Sequence, residues 1–454
     1  MTIVTAKEAL LATGWAQNVE IEIDNAGRIA AVRPDAPSAK NATQIILPAF
    51  SNLHSHAFQR AMAGLTEARG RDGQDSFWTW RTLMYRFLDH LGPDDIEAIT
   101  AFAQMEMLEA GYASVAEFHY IHHGPGGGRY DDASELSTRI MAAAGKTGIG
   151  LTLLPVLYER GGCDNRPLAG GQKRFAHNID TFAKLVDDAR NSASMLDDDA
   201  VVGVAAHSLR AVHAESLYPL ARLAGAAPIH IHIAEQMAEV EEVKAAYGKR
   251  PVEWLFDHHE INEQWCLVHA TQMKSHETKS LATSGAIAGI CPITEANLGD
   301  GIFDGAEFLH QGGRYGVGTD SNVRISLTEE LRLLEYSQRL KSHARAVMAS
   351  DKKSTGRVLF EEAASSGAQA AGRESGSVEV GKFADLIALD GRSHYLADRS
   401  GDTILDSYIF AGDDRLVTDV WSAGRHMVTG GRHKHREAIV LRYRETMAGL
   451  MQKF

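Results

Sequence analysis

The chain has 454 residues, 44% hydrophobic and 23% charged, the balance of an ordinary soluble globular protein, and its length suits one large α/β barrel plus an accessory domain. A formal net charge of −13 argues against nucleic acid as a partner, because phosphate binding needs clustered basic residues, yet it leaves room for a small anion held by a few local arginines. No apolar run approaches the roughly 20 residues that span a bilayer. The first residues carry no basic-then-apolar leader, and three cysteines (Cys163, Cys266, Cys291) without a CxxC pair fit a reducing cytoplasm.

Residues 1 to about 47 read as short strands. Val19–Ile23 alternates apolar and polar residues, Asn25-Ala26-Gly27 makes a turn, and Arg28–Val32 returns. The matching pattern lies at the other end of the chain, in Gly376–Asp390, Leu416–Trp421 and His426–Thr429, so the two ends are expected to pack as one small β-domain. Between them, eight apolar runs of strand length recur: Ile45–Leu53, Ser114–Tyr120, Gly150–Tyr158, Val201–Leu209, Pro228–Ala234, Cys266–His269, Ala286–Ile293 and Tyr315–Asp320. Segments with 3.6-residue periodicity separate them, among them Pro93–Ala110, Leu136–Gly145, Ile179–Asn191, Ala238–Tyr247 and Leu327–His343. This alternation predicts a (β/α)8 TIM-like barrel. An open doubly wound sheet permits the same alternation, but no Gly-x-Gly-x-x-Gly follows the first strand. The expected organisation is 1–47 and 373–432 in the β-domain, 48–372 in the barrel, and 433–454 as an amphipathic C-terminal helix.

In such a barrel the chemistry sits at the C-terminal strand ends. Strand 1 ends in His54-Ser55-His56, strand 2 in Glu117-Phe118-His119-Tyr120, strand 4 in His207-Ser208-Leu209-Arg210. Strand 5 reads His230-Ile231-His232-Ile233-Ala234-Glu235, strand 6 ends in His269, and strand 8 ends in Gly318-Thr319-Asp320. Residues i and i+2 of a strand share a face, so His54 and His56 can aim at one ion. Each residue alone is more simply a satisfied core histidine or a helix-capping aspartate. Together they favour a zinc site of His54, His56, His232 and Asp320, three imidazoles and one carboxylate. The same donors accept iron, cobalt or manganese. His230 competes with His232, which is preferred because it lies nearer the strand end and Glu235. A carboxylate beside an activated water is the expected proton shuttle, Glu235 here, with His269 and Asp320 orienting that water.

The His-x-His after strand 1, the His-x-x-Glu of strand 5, the strand 6 histidine and the strand 8 aspartate resemble the amidohydrolase superfamily over nearly the whole chain. Gly376–Asp390 is similar to that superfamily's small β-sandwich, built from both chain ends. Strand 4 offers no lysine to bridge two metals, which resembles the mononuclear deaminase branch. Within it, Asn52–Gly64, Phe77-Trp78-Thr79-Trp80-Arg81, Glu117–Tyr120 and His207–Arg210 are similar to enzymes that hydrolyse the linear amidine of an N-formimidoyl amino acid in histidine degradation. That resemblance implies N-formimidoyl-L-glutamate as substrate and N-formyl-L-glutamate and ammonia as products. It implies substrate contacts from Gln59, Arg81, Tyr120, His207 and Arg210, one zinc ion per subunit, and a homodimer. Two carboxylates call for arginines, whose planar fork binds carboxylate bidentately.

Other signals are set aside. Gly124–Arg129 lacks the Lys-Ser/Thr ending of a phosphate loop and reads as a mobile loop after strand 2. His122-His123 reads as a solvated pair. Arg432–Arg436 reads as solvent-facing or as a cap on the last helix. The Trp-rich loop around Arg81 offers Trp78 and Trp80 as pocket walls or as core. The competing functions are an aminohydrolase of a purine or triazine ring, an imidazolone-ring hydrolase, and a metal-binding scaffold without catalysis.

Overall fold

The computed structural model describes residues 1–37, 42–67 and 77–453, the side chains of Phe77 and Trp78 excepted. Eight parallel strands follow one another in chain order: Phe50–Ser55, Tyr112–His119, Gly150–Leu157, a broken fourth strand (Val201–Val202 and Val204–Ala206), Ile229–Ile233, Trp265–His269, Ile287–Ile290 and Arg314–Val317. We call these barrel strands 1 to 8. Helices cover them from outside, so a strand such as Gly150–Leu157 is buried along its whole length and reads as a continuous apolar run. The helices begin and end where local chemistry directs. Pro93–Ala110 starts on Pro93 with Asp94 and Asp95 in its first turn, and stops at Gly111, whose φ of +104° suits only glycine.

The barrel closes between strands 1 and 8, where the regular ladder gives way to a parallel bridge between Ser55 and Asp320. Asp320 N–H donates to the His54 carbonyl and His56 N–H to the Asp320 carbonyl, both at 2.9 Å. Buried amides and hydroxyls reinforce this seam. Asn52 Nδ2 donates to Thr319 Oγ1 at 2.7 Å, Thr319 N–H donates to Asn52 Oδ1 at 3.1 Å, and Asn322 Nδ2 donates to Ser55 Oγ at 3.1 Å.

A second, mixed sheet draws on both chain ends. Its eight strands lie in the order Arg432–His433, Arg425–Thr429, Val417–Ser422, Leu386–Leu389, Thr43–Pro48, Thr2–Leu11, Gly14–Ile23 and Ile29–Arg33. One face packs on its own core of Val4, Ile21, Ile46, Leu386 and Trp421, while Leu10, Ile45 and Leu47 turn toward the barrel core. The single strand expected over Ile45–Leu53 is therefore two. Thr43–Pro48 belongs to the mixed sheet, and the chain changes sheets at Ala49, whose N–H donates to the Asp385 carbonyl at 2.9 Å. With both faces of Thr43–Pro48 covered, periodicity carries no mark of the boundary.

Three further expectations change. His122 and His123 are buried, at 2% and 8% exposure, with Nε2 on the Val156 and Ala176 carbonyls. The Gly-rich segment packs on Gly170–Phe175 by a short 3-10 turn, Pro125–Gly127, and none of it lines the cleft over the strand ends. His433 is also buried, in the strand Arg432–His433, with Nε2 against the Thr147 carbonyl at 2.8 Å.

Candidate active site

Left-handed backbone marks three strand ends: Ala234 (φ +49°), His269 (φ +71°) and Asp320 (φ +43°). Non-glycine residues adopt this region rarely, at about 1–3 kcal/mol each, where surroundings over-determine it. After strand 5, Glu239 reaches back to accept the N–H groups of Ala234 and Glu235 at 3.2 and 3.0 Å. After strand 6, Ala270 N–H donates to the Ile233 carbonyl at 3.0 Å. After strand 8, the seam holds Asp320.

These ends bring three imidazoles and a carboxylate to one point. His54 Nε2 and His232 Nε2 are 3.0 Å apart, and Asp320 Oδ1 lies 3.5 Å from His54 Nε2 and 3.2 Å from His56 Nε2. A tetrahedral ion with bonds of about 2.0–2.1 Å spaces its donors by about 3.3–3.4 Å, so these separations are those of a metal shell. The protonation states agree. His56 and His232 give Nδ1–H to the Phe118 and His207 carbonyls at 2.9 and 3.1 Å, which leaves a lone pair on each Nε2. Burial pushes His54 down to about 3, and burial and the surrounding imidazoles hold His232 well below its ordinary range. Burial alone would raise Asp320, but the hydrogen bond with His54 and the neighbouring histidines hold it well below the usual carboxylate range. The His232 lone pair faces His54 Nε2 at 3.0 Å beside a buried carboxylate, a setting that suits a cation between them. His230 takes no part. It sits two residues, about 6.6 Å, deeper in the barrel, with Nε2 on the Ala370 carbonyl at 2.8 Å.

Glu235 and His269 stand beside this cluster. His269 Nε2 is 3.8 Å from Glu235 Oε1 and 3.9 Å from Asp320 Oδ2. Burial raises Glu235 above the usual carboxylate range, with Asp320 and Glu239 adding to the rise and His269 opposing it.

A cleft of about 530 Å³, counted with the open solvent at its mouth, lies over the cluster. It is lined by His56, His232, Glu235, His269 and Asp320, and also by Gln59, Trp80, Arg81, Tyr120, His207 and Arg210. His54 is fully buried behind it. Gln59 Nε2 donates to Tyr120 Oη at 2.8 Å, and its buried Oε1 has no partner among the described residues. Arg81 lies on the helix Phe77–Leu88, where a loop was expected. Its guanidinium donates to Tyr85 Oη and, at 3.2 Å, to Tyr158 Oη. His207 is held well below its ordinary range, first by burial and then by Arg210 and Arg81, so this end of the cleft is positive. That sign runs against the net charge of −13 and suits an anionic ligand. Trp80 lines the cleft, while the Trp78 side chain lies outside the described residues.

Sequence reasoning missed several supports. Glu117 accepts Ala57 N–H at 2.7 Å and so shapes the turn after His56. Tyr85 and Tyr158 hold Arg81. Glu295, in the short helix Pro292–Leu298 after strand 7, lies 3.3 Å from His269 Nδ1. Its only signal was a glutamate just past a strand end, behind Pro292.

Residues 45–427 match the model of the amidohydrolase family, and residues 1–42 match the N-terminal domain of formimidoylglutamate deiminase HutF. A formimidoylglutamate deiminase from Pseudomonas aeruginosa is 47% identical, over 99% of this chain and 100% of the relative. A 5-methylthioadenosine/S-adenosylhomocysteine deaminase from Bacillus cereus is 26% identical over 86% of this chain and 82% of its own. The crystal structure of an amidohydrolase from Brucella melitensis superposes with a TM-score of 0.95 at 44% identity, covering 99% of this chain and 100% of that one.

Proposed function

The chain belongs to the amidohydrolase family, and we propose that it hydrolyses N-formimidoyl-L-glutamate to N-formyl-L-glutamate and ammonia, in histidine degradation. The observation that carries this reading is one cleft lined by His56, His232, Asp320 and a buried glutamate together with two arginines. Water chemistry on a C–N bond needs the first half. A dicarboxylate calls for the second, and a flat neutral ring would not need two guanidiniums.

His54, His56, His232 and Asp320 would hold one zinc ion per subunit; the donor set also suits iron, cobalt or manganese. A bound divalent cation supplies Lewis acidity and water with a pKa of about 7. Glu235 takes the proton of the attacking water and passes protons to the leaving nitrogen, which departs as ammonia. His269 Nε2, between Glu235 and Asp320, orients the incoming oxygen. The C=N carbon gains oxygen and loses nitrogen, so the amidine becomes a formamide with no redox change. Arg81 and Arg210 take the carboxylates, and Gln59, Tyr120 and His207 fix the chain between them. Three free, buried cysteines support a reducing, cytoplasmic setting. The partners in this reading are the small dicarboxylate and a second copy of the chain.

Metal analysis with an ammonia-release assay on N-formimidoyl-L-glutamate tests the proposal. Metal-loaded protein should release ammonia from this compound. Release from a purine or triazine instead, with none from N-formimidoyl-L-glutamate, would overturn it; metal binding with no turnover of any of them would leave a scaffold.

A further inference from the structure

We propose that Glu295 is a positioning residue for His269: its carboxylate captures the Nδ1 edge of the imidazole and so aims Nε2 between Glu235 and Asp320. The inference rests on the deiminase reading, since it assigns a supporting role within that reaction.

A histidine ring needs such a partner. The terminal torsion of histidine is broad and roughly two-fold, so rotamer preference does not choose between a ring and its flip. The His232 ring lies almost parallel to that of His269, with centroids 5.4 Å apart and an interplanar angle of 17°, which sets the plane but not which edge faces the reaction. The backbone, at φ +71°, fixes where the side chain leaves the strand but not how its ring turns. What remains is polar. On one edge, Nε2 has Glu235 Oε1 at 3.8 Å and Asp320 Oδ2 at 3.9 Å. On the other, Nδ1 has Glu295 Oε1 at 3.3 Å. Glu295 is 4% exposed, so this hydrogen bond has little competition from water.

Glu295 is itself pinned. The same Oε1 accepts Cys291 N–H at 2.8 Å. The neighbouring Thr294 Oγ1 lies 3.0 Å from Ser321 Oγ and accepts Ser321 N–H at 3.3 Å, which ties the strand 7 turn to the loop that carries Asp320. Ile293 N–H donates to buried Glu330 Oε2 at 2.9 Å. Strand 7, which lines no reacting group itself, thus supplies the rigid back wall for one.

The bland alternative is that Glu295 merely caps its own short helix through Cys291. A double-mutant cycle separates the two, because residues that act as a unit are non-additive. E295A should lower kcat on N-formimidoyl-L-glutamate roughly 10–100-fold, the usual cost of losing a partner that orients a histidine. KM and bound metal should hold. E295Q, which still presents an oxygen to Nδ1–H, should recover most of that loss. In an H269A background, E295A should cost nothing further, within about twofold. Should E295A fold poorly, E295M, which fills the space without an acceptor, enters the same cycle. An E295A enzyme with normal kcat, an E295Q enzyme no better than E295A, or an undiminished loss in the H269A background would each overturn the proposal. An inactive wild type would instead overturn the deiminase reading and take this one with it.

Discussion

Glu235 and Arg210 divide the work of the cleft between chemistry and recognition, and single substitutions should separate them. Glu235 faces His269 across 3.8 Å. E235Q keeps shape and removes the base, so turnover should fall about 10²–10⁴-fold. Metal content should stay that of the wild type. Near-normal ammonia release from E235Q would sink the assignment of Glu235 as proton shuttle. Arg210, 5% exposed beside His207, belongs to the positive end of the cleft. R210M should lower kcat/KM on the dicarboxylate roughly 10²-fold, about 2.7 kcal/mol of transition-state binding, while metal content holds. Unchanged kcat/KM would point to a substrate without that carboxylate.

Between elements, the decisive contact is the seam of strands 1 and 8, because it registers two imidazoles against Asp320. Gly318 has no room to spare there: a Cβ would stand 2.7 Å from the His54 carbonyl oxygen and 2.8 Å from both its N and Cβ. G318A should therefore wedge the seam open, costing about 1–3 kcal/mol as overpacking does. Purified G318A should also carry less metal than wild type, and full metal occupancy would show that the seam does not set the site. The seam also explains what sequence made legible. His54, His56, His232, His269 and Asp320 could be read because polar residues at the ends of aliphatic strands are conspicuous, and period-2 geometry says which way they point. The choice of His232 over His230 depended on depth along strand 5, which proximity to the strand end tracked. Glu295 and Glu117 were not legible as supports, because a carboxylate that holds a ring or a turn carries no spacing rule. Arg81 was placed in a loop because its Trp-rich surroundings hid a helix, Phe77–Leu88, with a mixed face. Thr43–Pro48 was joined to strand 1 because a strand covered on both faces looks like its neighbour.

At the scale of the whole molecule, the barrel and the mixed sheet are joined by a buried charge network far from the cleft. Arg373 pairs with Asp385 through Nε at 2.6 Å and Nη2 at 2.9 Å, and its Nη1 lies 2.9 Å from Asp199 Oδ2. Arg425, in the mixed sheet, grips the same Asp199 at 2.7 and 3.0 Å. Asp199 belongs to the barrel, just before strand 4, so one carboxylate answers two guanidiniums across the junction. Burial alone would raise Asp199, but the hydrogen bond from Arg425 and the charge of Arg373 outweigh it and hold the group below its ordinary 3.8. A carboxylate depressed in the folded state stabilises the fold above its unfolded pKa, and that contribution is lost as pH falls through the folded value. At neutral pH, D199N should cost roughly 3 kcal/mol, the low end for breaking a buried pair, because Arg373 keeps Asp385. In acid, below the ordinary 3.8, wild-type Asp199 becomes protonated and the gap between the two proteins should close. Denaturant titrations of both proteins from neutral pH into acid measure this. No gap at neutral pH would mean that the junction is held by apolar packing and that Asp199 contributes only its shape, and a gap that stays constant into acid would mean that the charge of Asp199 does not carry the cost.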